Sequence, residues 1–298
     1  MEKISLMTMT MFLRIFFKFQ TDHDKEELIE EYQEMLDLVQ KSGFQMVDVT
    51  SWEVNLIGIE CVKKMLAEHG LSVSSFITFG EYARMDKESF AGRVEQGKLD
   101  VDTAAALGTD VLMLVPQAYE GIEQYTPEKI RARMSEHWKP IVEYAKEKGL
   151  RAMVEDTPDM KLHLCKAADV LEVLDMVPGL ELVYDTANMT LAGEDPFEYL
   201  QKFIGRIGYV HLKDYRPTPP GSVLAECGED GTKMSVAPVG TGLIDIRGIV
   251  EALKKSGYAG GMTMEFIVDD DGDFLKSLKR NYGFLRTDSD TPLVLSDC

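Results

Sequence analysis

Four polar side chains each close a short apolar run in the second half of this 298-residue chain. Glu155 follows Leu150 to Val154, Asp185 follows Leu180 to Tyr184, His211 follows Ile207 to Val210, and Glu265 follows Gly261 to Met264. Taken singly, Glu155 or Asp185 reads as a helix N-cap or a solvated acid, and His211 as a satisfied core histidine. Taken together, at the ends of successive strands of one sheet, they read as donors to one divalent cation. Carboxylate oxygens with one imidazole nitrogen suit Mn2+ first, and also Mg2+, Co2+ or Zn2+. Three carboxylates and a neutral imidazole would carry about −3, so a divalent ion leaves about −1. Without that ion, like-charge repulsion raises at least one carboxylate pKa.

The elements that must position these groups alternate along the chain. Strands are predicted at Ile4 to Met11, Phe44 to Val49, Leu71 to Thr78 and Asp110 to Val115, and then at the four runs above. Helices are predicted at Asp24 to Lys41, Ile57 to His69, Lys87 to Leu107, Pro127 to Lys148, Leu162 to Met176, Pro196 to Phe203, Asp245 to Ser256 and Asp273 to Phe284. Leu28, Tyr32, Met35, Leu36 and Val39 show the helical spacing of the first. Gly43, Gly70, Gly108, Gly149 and Gly257 stand where helices should stop, and Pro127 where one should start. Strand alternating with helix implies a parallel sheet, and eight such units in this length imply one (β/α)8 barrel. Residues 1–287 are assigned to that barrel and 288–298 to a flexible tail. The residues after Met11 are aromatic and basic, not the glycine fingerprint of an open doubly wound sheet. Barrel active sites lie at the C-terminal strand ends, where the four polar residues fall. The connection from Tyr215 to Leu243 lies at that rim and reads as a lid or substrate wall.

Composition narrows the function further. There are 51 acidic against 32 basic residues, a formal charge of −19. That balance disfavours nucleic acid and anionic membrane and favours a small-molecule partner. The four cysteines, Cys61, Cys165, Cys227 and Cys298, have no CxxC spacing. They read as reduced thiols of a cytoplasmic protein. The apolar stretch from Ile4 to Phe19 is interrupted by Arg14 and Lys18, and reads as a first strand and aromatic loop instead of a signal peptide.

The segments Val154-Glu155-Asp156, Tyr184-Asp185-Thr186-Ala187-Asn188, Tyr209-Val210-His211-Leu212-Lys213-Asp214, Gly257-Tyr258 leading to Met264-Glu265, and Val239-Gly240-Thr241-Gly242-Leu243-Ile244-Asp245 resemble the sugar isomerase/epimerase superfamily of xylose isomerase-like barrels. The resemblance implies a mononuclear metal site held by Glu155, Asp185, His211 and Glu265. It also implies that the two glutamates act as acid and base on opposite faces of an enediolate. Acid–base chemistry agrees: a carbonyl polarised by a cation acidifies its neighbouring C–H, one carboxylate takes that proton and another returns it. The expected activity is carbohydrate isomerisation or epimerisation. The alternative on the same scaffold is a lyase, by inosose-type dehydration or by β-elimination from a 3-keto C-glycoside.

Asn188 stands where sugar epimerases often carry a substrate-binding histidine, and an amide can still hydrogen-bond a hydroxyl. Lys213 and Arg216 are further candidates for substrate oxygens. Phe12, Phe16, Phe17 and Phe19, with Trp52, could stack on a sugar or on an aromatic group attached to it. The same rings could form a contact to a second copy or a partner subunit. A resemblance to a related barrel class, the endonucleases of abasic DNA, would imply a three-zinc site with several extra rim histidines, whereas the chain has only five and most are predicted away from the rim.

Overall fold

The computed structural model describes residues 4–9, 11, 12, 15, 25–220, 225–266 and 273–286. Eight parallel strands close into a barrel: β1 (Ile4–Met7), β2 (Met46–Thr50), β3 (Ser72–Gly80), β4 (Val111–Pro116), β5 (Arg151–Glu155), β6 (Glu181–Asp185), β7 (Ile207–Pro217) and β10 (Gly261–Glu265). Closure comes from β10, which pairs with β1 on one side and β7 on the other. Its Thr263 stands opposite His211 and its Glu265 opposite Lys213. Outside the barrel order, β8 (Glu226–Cys227) and β9 (Lys233–Ala237) form an antiparallel extension of β7 over the rim.

Nine α-helices lie among the described residues: α1 (Lys25–Ser42), α2 (Ser51–Ile57), α3 (Ile59–Glu68), α4 (Phe90–Leu107), α5 (Pro127–Glu147), α6 (Ala167–Met176), α7 (Pro196–Phe203), α8 (Ile246–Lys255) and α9 (Phe274–Phe284). Local chemistry sets their ends. Thr126 caps α5, accepting from the Lys129 amide, with Pro127 in the first turn. Gly108 ends α4 in the left-handed region at φ 83°. Thr50 and Glu53 form a reciprocal capping box at α2.

Three details depart from the sequence reading. The first strand stops at Met7, and a turn begins at Thr8. The helix expected from Ile57 to His69 is two helices meeting at Gly58, φ 95°, with α2 starting six residues earlier, at Ser51. The long rim connection carries the β8–β9 hairpin.

Two apolar bodies hold the fold. The larger packs helices on the outer barrel face. The smaller fills the interior with Met7, Ile77, Val111, Met113, Met153, Val183 and Tyr209, and forms the floor of the site. No helix of the described residues is long and apolar enough to cross a membrane.

Candidate metal centre and active-site cavity

Glu155, Asp185 and Glu265 are the last residues of β5, β6 and β10, and His211 lies in β7 between them. Each offers one ligand atom, and these atoms all lie within 4.8 Å of one another. His211 Nδ1 is 2.7 Å from Glu155 Oε1 and 3.5 Å from Glu265 Oε2. Asp185 is fully buried. Its Oδ1 accepts from the amides of Ala187 (2.7 Å) and Asn188 (2.9 Å), which fixes the rotamer. Its Oδ2 is buried without a hydrogen bond among the described residues. A buried carboxylate oxygen left over beside an imidazole and two more carboxylates fits a divalent ion.

The charges explain the protonation tendencies. Burial pushes Asp185 up to about 8; Lys213 and His211 pull it down, while Glu265 and Glu155 push it further up. Burial opposes charge on His211, but Glu155, Glu265 and Asp48 outweigh it and raise the imidazole to about 9. Burial also acts on Glu155, yet His211 and Lys213 hold it below the usual carboxylate value.

Lys213 continues the same face of β7, since alternate residues of a strand share a face. Its Nζ is 3.2 Å from Glu265 Oε1 and 3.6 Å from Glu226 Oε1, and it donates to Asn188 Oδ1 at 3.1 Å. Asn188 also accepts from Tyr215 OH (3.2 Å) and donates to the Asp156 carbonyl (2.7 Å), so its amide orientation is fixed. Tyr215 OH reaches Glu226 as well.

Glu155, Asn188, His211, Lys213, Glu226 and Glu265 line one side of a cavity of about 400 Å3. Met7, Met9, Ile77, Phe79, Val115 and Pro116 form the apolar side. Of the residues singled out in the sequence, Glu155, Glu265, His211, Asn188 and Lys213 reach this cavity. Trp52 does not; it stacks on Phe79 at 4.3 Å and 17°, and Phe79 is the ring that faces the cavity. Arg216 lies one residue beyond Tyr215, opposite Ser235 of β9, and is not among the lining residues. Phe12 is fully buried against Tyr32, an edge contact at 5.9 Å, instead of facing the rim. Phe16, Phe17, Phe19 and the tail 288–298 lie outside the described residues.

Sequence reading missed Glu226, hidden in a loop without periodicity, and Asp48. The signal for Asp48 was there: a single acid in the run Phe44 to Val49, otherwise chiefly apolar.

Comparison with known proteins agrees with this architecture. The inosose dehydratase of Geobacillus thermodenitrificans (strain NG80-2) is 28% identical over 220 residues, which is 68% of this chain and 72% of that protein. A solved L-ribulose 3-epimerase superposes with a TM-score of 0.70 at 20% identity, covering 96% of this chain and 94% of that one. The IOLI protein with a zinc atom bound superposes at 0.69 with 16% identity, covering 95% and 97%. The family model for the xylose isomerase-like TIM barrel matches residues 36–287. The chain belongs to the xylose isomerase-like TIM barrel family.

Proposed function

We propose that this protein is a divalent-metal-dependent carbohydrate isomerase or epimerase that moves a proton beside a carbonyl. The carrying observation is the convergence of Glu155, Asp185, His211 and Glu265 within 4.8 Å at the ends of four neighbouring strands. When bound there, a divalent ion supplies a Lewis acid for a carbonyl and its neighbouring hydroxyl. Mn2+ is the first choice, with Mg2+, Co2+ or Zn2+ as alternatives.

Glu155 and Glu265 serve as base and acid. Both line the cavity, from β5 and β10, and flank His211 Nδ1. One takes the proton from carbon, and the other returns it from the far side. Lys213 and Asn188 offer hydrogen bonds to substrate oxygens, while Phe79, backed by Trp52, presents a flat apolar face to the ring. Glu155, Asp159, Glu226 and Glu265 outnumber Lys213 along the described wall, which favours an uncharged polyol over a phosphate ester.

A lyase on the same scaffold is the second reading, supported by the match to an inosose dehydratase. Proton removal is shared; the lyase then expels water or an aglycone. The acidic surface supports a small molecule over nucleic acid as partner. The free thiols Cys61, Cys165 and Cys227 support a cytoplasmic location. The closed barrel also supports a single domain over the described residues.

The test joins metal analysis to solvent-deuterium exchange into a panel of ketoses and keto-polyols. Mn2+-loaded wild type should exchange. Glu155→Gln should lose exchange by about 10²-fold or more, and Asp185→Asn should lose both metal and exchange. Product mass separates isomerase from lyase. Retained metal and full exchange in both variants would overturn the assignment.

A further inference from the structure

We infer that Asp48 is a positioning residue, aimed from across the barrel to hold His211 in the tautomer that binds the ion. The inference rests on the metal reading above. Asp48 is fully buried on β2. Its Oδ1 accepts from Ser5 Oγ at 2.9 Å and from Tyr209 OH at 2.8 Å. Tyr209 OH is itself 2.6 Å from Ser74 Oγ. Residues from β1, β3 and β7 thus fix the direction in which the carboxylate points.

Its other oxygen takes no part in that network. Asp48 Oδ2 is buried without a hydrogen bond among the described residues, and so is His211 Nε2. The two atoms face each other at 4.0 Å. That is about 1 Å longer than an N–H···O bond, a gap that a small rotation of either side chain closes. The imidazole therefore has two unlike sides. Nδ1 faces Glu155 and Glu265, and Nε2 faces Asp48. A ligating nitrogen must present its lone pair, so the ring proton belongs on Nε2, and a carboxylate is the acceptor that keeps it there. The buried Thr263 hydroxyl also acts on this carboxylate, but it makes no hydrogen bond to Oδ2 among the described residues.

Co2+ titrated into chelator-treated protein, followed by its d–d absorption, tests this. Wild type should bind, and Asp185→Asn and His211→Gln, each short of one ligand, should bind far more weakly but still measurably at millimolar Co2+. In Asp48→Asn, Ser5 and Tyr209 still donate to Oδ1, so the new NH2 group points at Nε2. Affinity should fall roughly 10–100-fold, with a changed ligand-field spectrum. In a His211→Gln background the same substitution should change affinity by less than about twofold, since no ring remains to orient. Tyr209→Phe keeps the carboxylate but removes one anchor; it should give a smaller loss in the same direction, and it decides the matter if Asp48→Asn does not fold. Wild-type affinity in Asp48→Asn, an equal loss in both backgrounds, or, failing that variant, wild-type affinity in Tyr209→Phe overturns the inference. Binding that needs Asp185 but ignores Asp48 refutes this inference alone, whereas a wild type that binds no Co2+ refutes the metal reading with it.

Discussion

Lys213 shows how one residue can hold a site together. Its buried ammonium lies 3.2 Å from Glu265 and 3.6 Å from Glu226, and Asn188 takes a further hydrogen bond. Those carboxylates push its pKa well above the ordinary lysine value even though burial opposes it. Removing the cation leaves acids facing one another in a place shielded from water. Lys213→Met should therefore lose about 2–4 kcal/mol of stability at neutral pH in chelator-treated protein. Adding Glu226→Gln should recover part of that loss. Urea denaturation of the single and double variants measures this, and an unchanged single variant would contradict it. The residue types of the candidate metal set were legible because each closes a mostly apolar run. The partners of Lys213 were not. Adjacent Asp214 is not one of them, because neighbours on a strand face opposite ways. Asp214 instead accepts from the amides of Gly240 (3.1 Å), Gly242 (2.8 Å) and Ile244 (3.0 Å).

At the scale of elements, that same turn explains its glycines. A Cβ on Gly242 would stand 2.3 Å from the Tyr215 carbonyl oxygen, so only glycine lets the backbone wrap Asp214 this closely. Helix α4 carries a different cost. Asp100 is largely buried there, and burial raises its carboxyl from 3.8 to about 6, although Gln96 donates to it at 3.0 Å. The folded protein thus binds this proton more tightly than the unfolded chain does. Its contribution is complete below the unfolded value and is lost as pH rises through about 6. Asp100→Asn should add about 1–3 kcal/mol at pH near 8 and little at pH near 4. Thermal melts at the two pH values decide it; an equal effect at both would count against burial as the cause. Helix and strand order was legible from periodicity, glycine stops and caps. The break at Gly58 was not, because apolar spacing continues across it and only the backbone turn divides α2 from α3.

For the whole molecule, the four candidate ligands sit on β5, β6, β7 and β10, including the strand that closes the barrel against β1. An ion held by all four would tie that closure together and favour the folded state by mass action. Mn2+ at about 100-fold over its dissociation constant should add ~2.7 kcal/mol to chelator-treated protein, raising Tm by roughly 5 °C. Calorimetry with and without the ion checks this; no shift with any of Mn2+, Mg2+, Co2+ or Zn2+ would argue against a shared site. The sequence by itself determined the alternation of elements, the barrel and the four polar strand ends, because periodicity and burial are written locally along the chain. Only the tertiary structure decided that Asp48 faces His211, that Glu226 meets Lys213 and that Phe79 rather than Trp52 lines the cavity. Those contacts join residues far apart in the chain, and barrel closure and strand register, which depend on every strand at once, bring them together.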